Sequence, residues 1–565
     1  MVKTRKRLAL ACDTCRSRRV KCDGQRPCCT PCRTRGLDCF YQQLPESPAT
    51  KLETGLANVN LRLDYLTMLL SKQSQPTVDP QQPANTALGS HEDSPFRLLA
   101  TDSIMRVLGL DDQYARGLVQ LERANLLLST TTPARMFFIS HQQVTDALAA
   151  FSERIHGYCP ILPLDFSDTY FTILSGPLAP SCQTCLALLV AAIGCVAHDP
   201  IAGSPYFEAA LASLPLVLGM CTLTSIQCLI LLSIYYCCLL KPCQAHDYCL
   251  IGSFKIQNLF KRWARSFRGA VSRLAVSSGL QATDDDTVEL TRRAHWAILF
   301  LESELSVQLD VAQSDIWNLD EYISLPNCRR TWQFPPPQPA STLSGVSPAS
   351  VHSTDSTGST ADQAQSFFLA NIAMRRMLHR CNSAVTHSPD GRPRYAPSIA
   401  LELERQLDEW YNYLPANTRF ARETGQQCND RFGSLSNFLS VQYYCCKLSI
   451  YWPAVYQAIQ NGGASAQLLD HCQRFIDSYV QLLPRIAFAV DDCLIYKWTL
   501  SVSFFTTTMA ALKVVDTPCF GGARRDRLCE CLSSAAVVDW KDIEDSPSLG
   551  LLQHTLHQRL EGAKY

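Results

Sequence analysis

The sequence predicts a mostly α-helical protein. A small N-terminal module is organised by six cysteines around two zinc ions, a short coiled coil follows, and a large all-helical domain makes up the rest. Three observations predict this. Cys12, Cys15, Cys22, Cys29, Cys32 and Cys39 fall in the pattern C-x2-C-x6-C-x6-C-x2-C-x6-C. Leu52, Leu56, Val59, Leu63, Leu66 and Leu70 follow at spacings of 4, 3, 4, 3 and 4, one apolar seam on a helix. From Phe96 onward apolar residues recur with helical periodicity, and strand-like alternation is scarce.

The cysteine pattern carries the chemistry. A C-x2-C pair lets two thiolates reach one zinc ion without strain. Four thiolates suit one tetrahedral zinc, so two separate sites need eight; six suffice for two zinc ions per chain when two sulfurs bridge. The halves of the pattern repeat each other and are filled with basic residues. Residues 1–40 carry eleven Lys and Arg against three Asp, a balance of +8, within a chain whose formal net charge is zero. That block points to a polyanion partner for this segment alone. Cys28 and Cys29 are adjacent, and only Cys29 stands at C-x2-C from Cys32, so Cys28 reads as the spectator.

At 565 residues, 47% hydrophobic and 18% charged, the chain has room for two or three domains and a substantial core. Residues 1–40 form the cysteine module and 41–51 a linker with two prolines. Residues 52–70 form the coiled-coil dimerisation helix, and 71–95 a Pro/Gln-rich linker that cannot bury enough surface to order itself. Residues 96–515 read as the helical domain, interrupted by a Pro/Ser/Thr-rich loop at 335–364; residues 516–565 are less regular. Clear helical pieces are 142–156, 182–197, 225–240 and 290–308. Leu211–Leu240 lacks any charge, but Pro215, Gly219 and the cap-like Thr222–Ser225 cluster break it into short buried helices rather than a membrane span. LALAC near the start is too short for a signal-peptide core. Of the 27 cysteines, the twenty beyond Cys39 sit mostly in apolar stretches and read as small core residues in a reducing compartment.

The cysteine stretch, ACDTCRSRRVKCDGQRPCCTPCRTRGLDCF, resembles the DNA-binding module of fungal Zn2Cys6 binuclear-cluster transcription factors. The resemblance implies that Cys12 and Cys29 bridge the two metals, Cys15 and Cys22 complete one site, and Cys32 and Cys39 the other. It implies a helix over Asp13–Lys21 set end-on in the major groove of double-stranded DNA. Arg18 and Arg19 match the base-reading basic pair, with Lys21 close behind, and CGG-type half-sites are the expected target. Arginine offers guanine a bidentate fork. Arg16, Arg26, Arg33 and Arg35 are expected on phosphates, which set register without reading sequence. Lys3, Arg5, Lys6 and Arg7 match a nuclear import run, hence a nuclear location.

The helical region resembles the fungal-specific transcription factor domain. Phe151–His156 with Pro160–Pro163, Thr291–Trp296 with Leu301–Leu305, and Leu407–Trp410 with Leu414–Pro415 occur in its order. The resemblance implies a homodimeric activator of RNA polymerase II transcription that serves a metabolic or secondary-metabolite gene set. It also implies contacts with coactivators or Mediator-type proteins, room for a small-molecule effector, and no membrane. Catalytic patterns do not emerge: Asp284–Asp286 reads as a solvated loop and Cys182-x2-Cys185 as core, and no P-loop or H-E-x-x-H is present. The rival readings are a zinc-dependent interaction or corepressor protein without specific DNA readout, and an enzyme carried by the helical region.

Overall fold

The structure is a computed structural model. It describes residues 13–18, 20–23, 28–39, 102–111, 113–126, 139–199, 201–274, 282–309, 311–320, 323–328, 331–334, 356–383, 386–387, 393–422, 433–541 and 543–563. The import run, Cys12, Arg19, Arg26, the 52–70 seam and both linkers flanking it lie outside these residues. The chain divides into two compact units, residues 1–58 and 59–565.

The first unit holds two short helices, α1 (Asp13–Ser17) and α2 (Thr30–Arg33). Cys29, extended at φ −67° and ψ 150°, stands at the N-cap of α2, and Pro31 fits its first turn, where no backbone donor is needed. Past α2 the chain reverses at Gly36, φ +61°. Leu37 N–H donates to Cys32 O (3.0 Å) and Gly36 N–H to Arg33 O (3.4 Å), the paired bonds of a Schellman turn. A left-handed residue is cheap only for glycine, and this turn carries Leu37 and Cys39 back against Cys15, Cys29 and Cys32.

The second unit is built of helices packed on one another. Its first part comprises α3 (Asp102–Val107), α4 (Tyr114–Ala124), α5 (His141–Phe151), α6 (Phe166–Leu174) and α7 (Cys182–Val196). It continues with α8 (Ser204–Leu211), α9 (Leu214–Gly219), α10 (Leu223–Cys238), α11 (Pro242–Leu274) and α12 (Ala282–Gln308). The uncharged stretch is therefore broken as expected. Thr222 caps α10 in a reciprocal box with Ser225, and nearly every residue of α10 is buried. Asp284–Asp286 departs from the loop expectation: these residues lie in the first turns of α12.

The later part comprises α13 (Ser356–Ser383), α14 (Pro397–Tyr413), α15 (Ser434–Asn461), α16 (Ala466–Asp492) and α17 (Lys497–Val515). A two-residue antiparallel pair, Thr386–His387 with Pro393–Arg394, separates α13 from α14. Helix α13 starts inside the stretch expected to be loop. Ser, Thr and Gly are weak helix formers, but Phe367, Phe368 and Ile372 of the same helix are buried, and tertiary packing overrides propensity. Among the described residues α17 is the one helix long and apolar enough to cross a membrane, and 89% of that window is buried inside the unit.

The last fifty residues differ most from expectation. They form α18 (Ala523–Ala535) and α19 (Pro547–Gly562). Leu549, Leu552, Leu556 and Leu560, at spacings 3, 4 and 4, are all buried. Buried Glu122 of α4 accepts from Ser546 Oγ (2.8 Å) and Ser548 N–H (3.1 Å), and Tyr114 OH donates to Thr555 Oγ1 (3.0 Å). The C-terminal segment thus closes on the beginning of the unit.

One buried side chain gives this unit a pH dependence. His295 of α12 packs edge-on against Trp296 (5.3 Å) and Phe260 (5.7 Å), and neither ring nitrogen has a partner. Burial, with Arg376 adding repulsion, holds its pKa down at about 3. The folded state therefore keeps His295 neutral while the unfolded chain takes up a proton near pH 6.5, so stability is full above that value and falls as pH drops through the window down to about 3. Urea midpoints at pH 7 and pH 5 should show a smaller acid loss in His295→Gln than in wild type; equal losses would remove His295 from the account.

Candidate metal centre and nucleic-acid interface

Helices α1 and α2 deliver the cysteines from two directions. Cys15 lies mid-α1, Cys29 caps α2, and Cys32 lies within α2; all three are buried. Cys15 Sγ is 3.6 Å from Cys29 Sγ and 3.7 Å from Cys32 Sγ. Two sulfurs about 2.3 Å from one tetrahedral zinc stand about 3.8 Å apart, so these thiols have the separation and softness that zinc requires. Cys22 Sγ, an Asp23 carboxylate oxygen and Cys29 Sγ also fall within 4.8 Å of one another. Cys29 N–H donates to Cys39 Sγ at 3.3 Å. Cys29 thus belongs to both groups, with Cys15 and Cys32 in one and Cys22 in the other, and meets Cys39 through its backbone N–H. The spacing of Cys15 to Cys32 is within 0.1 Å of that to Cys29, so sulfur distances alone do not divide the ligands between two metals. Cys28 is half-buried beside the cluster, and its Sγ points to the Cys29 carbonyl at 3.6 Å.

Two ties hold the halves together, and neither was singled out from sequence. Both carboxylate oxygens of Asp23 accept from Thr30 N–H, at 3.1 and 3.2 Å, which gives α2 an anionic partner at its N-terminus. Thr14 Oγ1 donates to Asp38 O at 2.6 Å. The available signal was an Asp directly after a ligand-spaced Cys and seven residues before a helix start.

Basic residues lie in and beside the cluster helices. Arg16 falls within α1, while Arg18 and Lys21 follow it and are exposed, as are Arg33 and Arg35 at the end of α2. The arrangement presents cations on a small rigid knob, the electrostatic footprint of a polyanion-binding surface.

In the helical unit the family-like segments are scaffold. Arg293 donates to Glu289 and to Asn327 O, each at 3.0 Å. Trp296 is fully buried under the Arg376 guanidinium, 4.9 Å from its ring centre. Trp410 Nε1–H donates to Ala370 O at 3.2 Å. Cys182 and Cys185 are buried on α7, and burial raises the Cys182 pKa, which fits core thiols rather than a redox pair.

Comparison with known proteins agrees with this geometry. Residues 10–47 match the fungal Zn(2)-Cys(6) binuclear cluster domain, and residues 148–412 the fungal specific transcription factor domain. The chain is 66% identical to "Putative transcription factor ecdB" of Aspergillus rugulosus across the whole of both proteins. It is 21% identical to the transcriptional activator protein acu-15 of Neurospora crassa, over 86% of this chain and 56% of that one. It is 46% identical to transcription factor FBD3 of Gibberella moniliformis over 12% of this chain and 8% of that one. No solved structure matches. The cysteine cluster, the two domain matches and the full-length relative together make this chain a member of the fungal Zn(2)-Cys(6) binuclear-cluster transcription factors, DNA-binding regulators of transcription that hold two zinc ions in the cluster.

Proposed function

We propose that the chain is a nuclear, sequence-specific activator that reads paired CGG-type half-sites as a homodimer. The place of Cys29 in both groups carries the reading of the module. It supports Cys29 as one bridging ligand, with Cys12 as the other, Cys15 and Cys22 on one zinc, and Cys32 and Cys39 on the second. The metals supply structure: bound thiolates fix α1 and α2, and the surrounding +8 of side chains offsets the cluster's negative charge. With α1 fixed, Arg18, Arg19 and Lys21 approach base edges, and Arg16, Arg26, Arg33 and Arg35 meet phosphates. The activator output rests on acu-15 being a transcriptional activator protein. Lys3, Arg5, Lys6 and Arg7 serve nuclear import, and the helical unit meets coactivators and takes any small-molecule effector.

Fluorescence anisotropy with CGG-containing and scrambled duplexes tests the core of this reading. Arg19→Ala should cost roughly 1–3 kcal/mol, mostly against the specific site. Arg33→Ala should weaken both duplexes alike and flatten the salt dependence. Equal losses on both DNAs for Arg19→Ala refute base reading and favour a zinc-dependent interaction protein.

Pairing follows from the small footprint of one cluster. About three base pairs cannot select a genomic site against its competitors, and joining two modules raises their effective concentration. The linker from Phe40 to Lys51 reaches about 40 Å at most, enough to place two modules about a shared seam of Leu52, Leu56, Val59, Leu63, Leu66 and Leu70. The double change Leu63→Asp with Leu66→Asp should convert the chain to monomers in sedimentation and drop its paired-site affinity to that for one half-site. A wild-type chain that sediments as a monomer and gains nothing from a second half-site defeats the zipper.

A further inference from the structure

We propose that the groove between the end of α9 and the outward face of α11 docks an acidic amphipathic segment of a partner protein. The proposal does not depend on how the cysteine module reads DNA. The groove encloses a cavity of ≈ 330 Å³ lined by Leu218, Gly219, Met220, Cys221, Lys255, Asn258, Lys261 and Arg262. Its lining is apolar on the α9 side and cationic on the α11 side, and it contains no carboxylate.

Its construction shows why it stays open. The Lys255 ammonium donates to the carbonyls of Val217 (2.7 Å), Leu218 (2.8 Å) and Met220 (2.5 Å), which uses all three of its N–H groups. That fixes the carbonyl end of α9 against α11 and satisfies backbone acceptors that a helix end leaves unpaired. Lys255 is therefore the floor and is spent on structure. Lys261 and Arg262, one to two turns further along α11, are exposed and have no ion-pair partner among the described residues.

Acidic residues flank the groove segments in sequence, at Asp247 and Asp284–Asp286, and none lies within them. Residues 209–246 contain no Asp or Glu, and residues 248–283 contain none either while carrying six Lys and Arg. The two segments that build the groove thus bring it no counter-charge. Glu289 of the neighbouring helix α12 is engaged by Arg293 (3.0 Å) and Arg292 (3.8 Å). An occupant that supplies carboxylates is what the groove lacks.

Apolar surface decides the rest of the occupant's chemistry. Leu216, Leu218, Met220 and Phe254 are between 42 and 53% exposed, on the two elements that flank the cavity. Scattered apolar residues need no account, but four on adjoining elements beside a cationic rim form a patch of the kind that partners cover. Nucleic acid would use the cations and leave the apolar wall wet. A small carboxylate would fill the cavity and leave Leu216 and Phe254 outside it. An amphipathic segment with bulky apolar side chains on one face and carboxylates along its edge satisfies both, in the helix-in-groove manner.

The test uses the full-length zinc-loaded protein and a short fluorescein-labelled synthetic peptide with Leu and Phe on one helical face and Glu on the other. Anisotropy should report saturable binding that weakens with salt. Lys261→Glu combined with Arg262→Glu should lower affinity about tenfold or more, the usual scale for reversing contacts in a charge-complementary interface. Met220→Gln, which removes apolar surface at a partly exposed position without adding charge, should lower it independently. Binding to a CGG duplex should be unchanged in both variants, which separates this surface from the cysteine module. The proposal is overturned if a Lys-for-Glu version of the peptide binds equally well. It is also overturned if hexanoate displaces the peptide at the affinity of a dedicated small-ligand site, if the variants bind peptide like wild type, or if they lose DNA affinity instead.

Discussion

Cys29→Ser is expected to release both zinc ions and unfold the cysteine module, whereas Cys28→Ser should retain both ions and the fold. The two residues are neighbours of identical chemistry, so the contrast isolates position. Cys29 caps α2, lies 3.6 Å from Cys15 Sγ and gives its N–H to Cys39 Sγ, while the half-buried Cys28 thiol lies at the edge of the cluster, against the Cys29 carbonyl and the Cys39 side chain. A module of this size buries too little surface to fold unaided, and structural zinc contributes on the order of 10–16 kcal/mol in small zinc domains. Metal content by mass spectrometry of the whole protein, with stepwise chelator addition, reads the result. Zinc lost from Cys28→Ser and kept by Cys29→Ser reverses the ligand assignment.

Gly194→Ala should destabilise the helical unit by about 3 kcal/mol, at the upper end of the usual range for overpacking. A Cβ at Gly194 of α7 would sit 1.9 Å from Ala147 O and 2.6 Å from its carbonyl carbon on α5. Both are backbone atoms, so no rotamer change relieves the overlap and the helices must separate. Gly550→Ala is the control: its Cβ meets nothing within 4 Å and it lies within α19, where alanine is favoured by roughly 0.5–1 kcal/mol. Opposite shifts in the denaturation midpoint are expected. Equal shifts would mean that α5 and α7 do not cross at van der Waals contact.

The buried family-like segments explain why sequence resemblance located a domain without locating a site in it. Trp296 and Trp410 stand out in the sequence because they close segments that resemble those of the family domain. In the structure each fills a core position and satisfies, or is covered by, a polar neighbour. The exposed surface that carries the further proposal is made of Leu218, Met220, Lys261 and Arg262, common residues with no motif.

The sequence alone determined the zinc module, because a C-x2-C pair lets two thiolates reach one tetrahedral ion without strain, and Cys12 to Cys39 hold two such pairs in a repeated pattern. It determined the helical class and the capped start of α10 at Thr222, because helical period and capping are local properties. Only the tertiary structure decided three other matters. It brought Cys15 of α1 against Cys29 and Cys32 of the second half, since spacing ranks Cys29 over Cys28 but does not say which sulfurs of the two halves meet. It made α18 and α19 part of the helical unit, since the Leu549–Leu560 seam has meaning only once α4 and α17 are there to receive it. It brought α9 beside α11, and with them an apolar wall beside a cationic one, because residues some forty positions apart become neighbours only when the chain on either side of α10 folds back and packs.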